Sequence, residues 1–204
     1  MTAKSKSRTV VGNISLSLDG RVTGSGGEYD MSWIVPHAIT NAARNHMISV
    51  TSPATTVLLG KNNYMGFGSY WPKVADDESA DPRDRAFSTW LNSVEKIVFS
   101  STLQEASWQN SRIVNDTPAA VVEELQKQPG GDIIVLASSS IIRSLLQVDA
   151  LDRLSITLCP EVAGGGAHLF TDGLPASSWS CVKARPQRVV LCACFMIGSK
   201  RNES

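Results

Sequence analysis

Leu58-Leu59-Gly60-Lys61-Asn62-Asn63-Tyr64 is the stretch on which the fold turns. A short apolar strand, Thr56 to Leu59, stops at a glycine and delivers a lysine and two amides into a helix start. Glycine lets a ligand approach the backbone closely. The free N–H groups of a first helical turn, with the helix dipole behind them, favour an anion there. Farther along, the same arrangement recurs. Asp132-Ile133-Ile134-Val135-Leu136 is continuously apolar after its first residue, as expected for a strand covered on both faces. It runs through Ala137-Ser138-Ser139-Ser140 into a helix with Ile141, Ile142, Leu145 and Leu146 at helical spacing.

The rest of the chain fits around these two units. Val10 to Leu18 is β-branched enough for a first strand and ends in an Asp19-Gly20 turn, and Thr23 to Glu28 reads as a glycine-rich mobile loop. From Val35 to Val50 apolar residues recur at helical intervals, with Pro36 in the first turn, where it is tolerated. Lys73 to Arg85 carries eight charges in thirteen residues and reads as a solvated excursion. Ile97–Ser100, Arg112–Val114 and Leu154–Leu158 are short strands, and Thr117-Pro118 opens a helix that stops at Pro129-Gly130-Gly131. Trp179–Ala184 and Val189–Ile197 flank Arg185-Pro186-Gln187-Arg188 as a terminal antiparallel hairpin. Strands alternating with helices predict an α/β fold with a mostly parallel sheet, helices on both sides and an antiparallel edge.

The 204 residues suit one domain, residues 9–198, between flexible tails at 1–8 and 199–204. Nineteen basic and nineteen acidic side chains cancel, which argues against nucleic acid and anionic membrane surfaces as partners. There is no apolar run long enough to span a bilayer, and Met1 to Ser7 does not read as a secretory signal. The four cysteines, at 159, 181, 192 and 194, read as free thiols in a reducing compartment, and the scattered histidines 37, 46 and 168 give no metal site. The expected location is cytoplasmic.

In a parallel sheet, ligands sit beyond the carboxyl ends of the strands. Four loops fall there: Gly60 to Asn63, Ser100 to Thr102, Leu136 to Ile141, and Val162 to Gly166. Each alone could be a plain turn. Together they offer a cation, hydroxyls, helix-start N–H groups and glycines, a set suited to one long polyanionic ligand.

A family resemblance rests on Ser17-Leu18-Asp19-Gly20, Leu59-Gly60-Lys61-x-x-Tyr64-x-x-Phe67, Gly131-Asp132-Ile133 and Pro160-Glu161-Val162-x-Gly164-x-Gly166-x-x-Leu169-Phe170. In this order, over Thr9 to Ile197, the motifs resemble the reductase domain of bacterial riboflavin biosynthesis and, more broadly, the dihydrofolate-reductase-like superfamily. The resemblance implies a three-layer α/β/α sandwich, NADPH along the strand ends and a homodimer. Carried over, Gly60, Lys61, Asn62 and Asn63 approach the cofactor phosphates. Lys61 with Ser100 and Ser101 would meet the adenosine 2′-phosphate, with Thr102 a further cofactor-binding residue. Ser138, Ser139, Ser140 and Ile141 would cradle the pyrophosphate, with Ala137, Gly164 and Gly165 as further cofactor-binding residues. The HxE…PCxxC zinc signature of the deaminase half is absent from these residues, so a stand-alone reductase is expected.

Three positions depart from the pattern. True folate reductases carry an acidic residue where Trp33-Ile34-Val35-Pro36-His37-Ala38 ends in alanine, so dihydrofolate is not the expected substrate. Ala137-Ser138 stands where the family has glycine, and a positive φ there would strain the alanine by of order 1 kcal/mol. Asn63 replaces a usual threonine. The candidates to line the substrate pocket are Asn13, Ser15, Asp19, Trp33, His37 and Tyr64. Asp19 is the one candidate catalytic acid, with a turn-forming role as its alternative, and Trp33 serves equally as a core anchor. Water is the default proton source. A small heterocycle, imine or C=C compound is the expected substrate. A flavin or deazaflavin in the same cleft, or a nucleotide-binding module without turnover, are the rival readings.

Overall fold

The computed structural model describes residues 8–27, 30–185 and 192–198. Glu28, the hairpin turn at 186–188, Val189, the expected tail at 199–204 and all of the expected tail at 1–8 except Arg8 lie outside the described residues, as do the side chains at 192 and 194. Arg8 itself is buried, donating to Gly131 O and Thr56 Oγ1. Eight strands form one sheet: β1 (Val10–Leu16), β2 (Ala54–Gly60), β3 (Glu95–Phe99), β4 (Ser111–Val114), β5 (Asp132–Leu136), β6 (Arg153–Leu158), β7 (Trp179–Arg185) and β8 (Cys192–Gly198). Among the described residues six helices accompany it: α1 (Val35–Ala38), α2 (Asn41–Thr51), α3 (Lys61–Val74), α4 (Pro82–Ser93), α5 (Pro118–Gln126) and α6 (Ser139–Gln147). The strand order is β4-β3-β2-β5-β1-β6-β8-β7. The first six run parallel, and β8 and β7 close the sheet antiparallel.

Alternation along the central strands explains the layers. In β5, Ile133 and Val135 face a cluster with Val121, Val122 and Leu125 of α5 and Ile141, Ile142 and Leu145 of α6. Ile134 and Leu136 face the other side, with Val50 of α2, Tyr64 of α3 and Phe87 and Leu91 of α4. A sheet with helices on both faces is what a continuously apolar central strand demands.

Two expectations need correction. The pattern from Val35 to Val50 is two helices, because Thr40 leaves helical geometry (φ −70°, ψ 152°) and its hydroxyl accepts from Ala43 N–H as an N-cap. The charged stretch from Lys73 to Arg85 is no mere solvated excursion. Val74 is buried, and Asp81 caps α4, with Pro82 at its first position. Asp81 and Asp84 then pair inward with arginines. Among the described residues, no helix is long and apolar enough to cross a membrane.

Candidate active site

Parallel pairing brings the strand ends together. Gly60 lies opposite Phe99, Phe99 opposite Val114, Asn13 opposite Leu136 and Leu16 opposite Leu158. The four loops therefore share one edge of the sheet, and hydrogen bonds stitch the three after β2, β3 and β5 into a rim. Lys61 Nζ donates to Thr102 Oγ1 at 2.7 Å, joining the loops after β2 and β3. Ser138 Oγ accepts from Gly60 N–H and from Asn63 Nδ2–H, each at 2.9 Å, and donates to the Leu136 carbonyl. That one buried hydroxyl bolts the start of α3 to the start of α6.

The helix starts divide into two kinds. Thr40, Asp81 and Thr117 cap α2, α4 and α5 with side-chain oxygens. Helices α3 and α6, which open on the rim, have no side-chain cap, and neither does the four-residue α1. Their first-turn N–H groups and the positive ends of their dipoles face the strand ends, beside the exposed Lys61 ammonium. Such a donor set fits the phosphates of a dinucleotide. Ser100 Oγ accepts from the N–H groups of Thr102 and Leu103, so it shapes its loop, while Ser101 and Asn62 are exposed.

At several rim positions the structure gives a different role from the expected one. Both N–H groups of the Asn63 amide are occupied, by Ala137 O and Ser138 Oγ, so Asn63 braces the rim. Ala137 sits at φ 51°, the left-handed conformation in which its methyl is strained. A Cβ at Gly166 would lie 2.3 Å from Thr23 O and one at Gly165 2.9 Å from Ser25 Cβ, so these glycines let two loops pack together. At Gly164 a side chain would meet only open space, but its φ of 66° favours glycine.

Next to this rim, over the carboxyl ends of β1 and β6, lies a cavity of about 480 Å³. Ser15 and Thr157 form its floor with Cys159, and Ile34, Val35, Ala38, Ile39 and Met47 form one wall. Trp71 and Phe87, edge to face at 4.6 Å between ring centroids, form the other. Burial and, secondarily, the charge of Glu161 push the Cys159 thiol up to about 11. The charged groups on this cavity are paired: Arg44 grips both carboxylate oxygens of Asp84, with Nε at 2.9 Å from each and Nη2 at 2.7 Å from one.

Of the residues expected to contact substrate, Ser15 reaches the cavity. Asn13 is buried beneath it, its Oδ1 accepting from Ser155 Oγ, which accepts in turn from His46 Nε2 on the cavity wall. Tyr64 is core: its hydroxyl accepts from Trp108 N–H. His37 Nε2 donates to Glu161 Oε1 at 2.9 Å and ties α1 to the loop after β6. Trp33 lies against the glycine loop, where a Cβ on Gly24 would approach its Cδ1 to 3.1 Å, and its buried indole N–H has no partner among the described residues. Asp30 is likewise absorbed by its loop, accepting from Gly26 N–H and from Ser32.

Asp19 does not have the geometry of an acid. Its carboxylate accepts from Ser17 Oγ–H, Ala163 N–H, Arg21 Nε–H and Gly164 N–H, and these bonds, Ser17 foremost, hold it well below the usual carboxylate range. It is ionised at neutral pH and anchors the β1 loop to the β6 loop. The sequence reading missed Arg44, Asp84, Trp71 and Phe87. The signal that could have found Asp84 and Phe87 is Asp81-Pro82, a helix start whose next turns had to carry an inward face.

Comparison with known proteins agrees with this architecture. Residues 8–193 match the model of the RibD C-terminal domain. The uncharacterized protein YyaP of Bacillus subtilis (strain 168) is 28% identical over 172 residues, 84% of this chain and 85% of that protein. A putative riboflavin biosynthesis protein from Shewanella sp. PV-4 superposes with a TM-score of 0.69 at 18% identity, covering 94% of this chain and 99% of the other. Enterococcus faecalis dihydrofolate reductase, complexed with NADP(H) and RAB-propyl, superposes with a TM-score of 0.56 at 15% identity, over 94% and 97% of the two chains. With the matched segment running from the first described residue into the last strand, the chain belongs to the RibD C-terminal domain family.

Proposed function

We propose that this protein is an NADPH-dependent reductase that transfers hydride to a small heterocyclic, imine or C=C substrate other than dihydrofolate. The observation that carries this reading is the pair of uncapped helix starts, α3 and α6, opening side by side next to an exposed lysine. Family membership and the fold shared with a reductase that binds NADP(H) support it. Lys61, with the hydroxyls of Ser101 and Thr102, would hold the 2′-phosphate. The N–H groups of Ser139, Ser140 and Ile141 would hold the pyrophosphate. NADPH, when bound, supplies the hydride.

The chain's own contribution is positioning and exclusion of water. The aromatic and aliphatic walls of the cavity orient a flat substrate over the ends of β1 and β6. Asp19 stays ionised, so the proton comes from water in this reading. Ala38 places a methyl on the cavity where folate reductases have a carboxylate, and Asp84 is already saturated by Arg44, so a pterin ring finds no free acid among the lining residues. Titration of nicotinamide fluorescence tests the reading. NADPH is expected to bind at least about tenfold more tightly than NADH, with that preference lost in Lys61→Ala and no turnover of dihydrofolate. Equal binding of the two dinucleotides, or none, contradicts it.

A further inference from the structure

The cavity beside the rim contains two arginines, and both are already paired with aspartates. Arg44 has all three guanidinium nitrogens engaged, Nε and Nη2 by Asp84 and Nη1 by the Ile39 carbonyl. Arg83 donates through Nε and Nη2 to the two oxygens of Asp81 at 2.9 and 2.7 Å, and its Nη groups also meet the amide oxygens of Asn41 and Asn45. Arg44 Nη1 stands 3.6 Å from Asp81, so two cations and two carboxylates form one closed, neutral cluster. These side chains are about one-fifth to three-tenths exposed, so the cluster is partly withdrawn from water.

The remaining surface is apolar or weakly polar. Ile34, Ile39, Met47, Trp71 and Phe87 supply flat and aliphatic contact area, and the other polar groups facing it are hydroxyl, thiol and imidazole side chains. Tyr70 and Val35 carry the same character to the mouth, where both remain exposed. A phosphate brought here would stand beside Asp84 and Asp81. To be paired, it would have to compete with Asp84 for the charge of Arg44 and leave a carboxylate undercompensated in an apolar cleft.

We infer that this cavity takes an uncharged, flat, largely apolar ring compound and rejects phosphorylated ones, with the Arg44–Asp84 pair as the element that sets this preference. The inference deepens the reductase reading and depends on it only for naming the occupant a substrate. Binding at the cavity is measured without NADPH, so a failed NADPH titration and a failed cavity test are separate results.

The test uses a matched pair of probes, 1-naphthol and 1-naphthyl phosphate, titrated into the full chain by fluorescence and calorimetry. The wild-type protein is expected to bind naphthol at least tenfold more tightly than the phosphate ester, and Ala38→Trp, which fills the cavity, is expected to abolish naphthol binding. Asp84→Asn frees Arg44 and is expected to raise the affinity for naphthyl phosphate at least tenfold, with naphthol changed less than threefold. Should that variant fail to fold, the wild-type comparison decides. Equal or tighter binding of the phosphate by wild type overturns the inference. Absence of naphthol binding, its survival in Ala38→Trp, or an unchanged preference in folded Asp84→Asn does so too.

Discussion

The rim and the cavity are neighbours at one edge of the sheet, yet they treat charge in opposite ways. At the rim, α3 and α6 begin without side-chain caps and Lys61 is exposed. Around the cavity, helix α4 is closed at both ends. Asp81 caps its start, and the buried Lys96 Nζ donates to the carbonyls of Leu91, Asn92 and Val94 at its finish. The cavity's arginines are matched by aspartates in the same way. One region leaves electrostatic valence open for an anionic ligand and the other closes it, so apolar contact dominates there.

The largest effect that can break this contrast concerns the closed side. Lys96 is fully buried, with its ammonium 4.8 Å from the centre of the Trp108 ring, and Lys96→Met would strand carbonyls that it now satisfies. The expected loss is about 3 kcal/mol, read from urea unfolding, and a loss below about 1 kcal/mol would show that α4 needs no such closure. Burial pushes Lys96 down to about 8. The unfolded chain then holds the extra proton between about pH 8 and pH 10.4, so this group's contribution to stability rises with pH across that window. Lys96→Met should remove that slope.

Cys159, on the cavity floor, tests how dry that floor is. With its thiol raised to about 11, alkylation by iodoacetamide at pH 7.5 should run about a hundredfold slower than at the exposed Cys181, as followed by peptide mass mapping. Comparable rates would mean an open, wet cavity. Ser138→Ala addresses the joint between the two helix starts. Gly60 N–H would lose its acceptor, and a stability loss of about 2 kcal/mol is expected together with weaker NADPH binding. Unchanged binding would mean that the α3–α6 spacing does not matter. The smallest effect is at Ala137, where glycine relieves a φ of 51° at some cost in unfolded-state entropy, for a net gain of about 0.5 kcal/mol in thermal unfolding.

The architecture was legible because the strands that build it are apolar on both faces. Ile133 to Leu136 and Val57 to Leu59 could only be covered central strands, and the helices between them could only flank the sheet. The strained alanine was also legible, since a strand-to-helix turn with a glycine pattern behind it restricts φ. What stayed hidden depended on pairing in three dimensions. Asn63 and Ser138 both looked like phosphate ligands, but the side-chain donors of each are taken by other groups of the rim. Asp19 looked like a pocket acid, and four donors from its own and a distant loop make it an anchor. The charged stretch before α4 concealed a helix cap and half of the neutral cluster, because composition speaks of solvent more loudly than a single Asp-Pro step speaks of a helix.

The central claim is that the open helix starts at the rim receive the phosphates of a dinucleotide. Backbone amide shifts in a nitrogen-15 NMR titration with NADPH test it most directly. The account predicts the largest changes at Lys61, Asn62, Ser139, Ser140 and Ile141, with those at the Thr40-capped start of α2 and the Thr117-capped start of α5 small. Shifts spread evenly over capped and uncapped starts, or absent from α3 and α6, would contradict it.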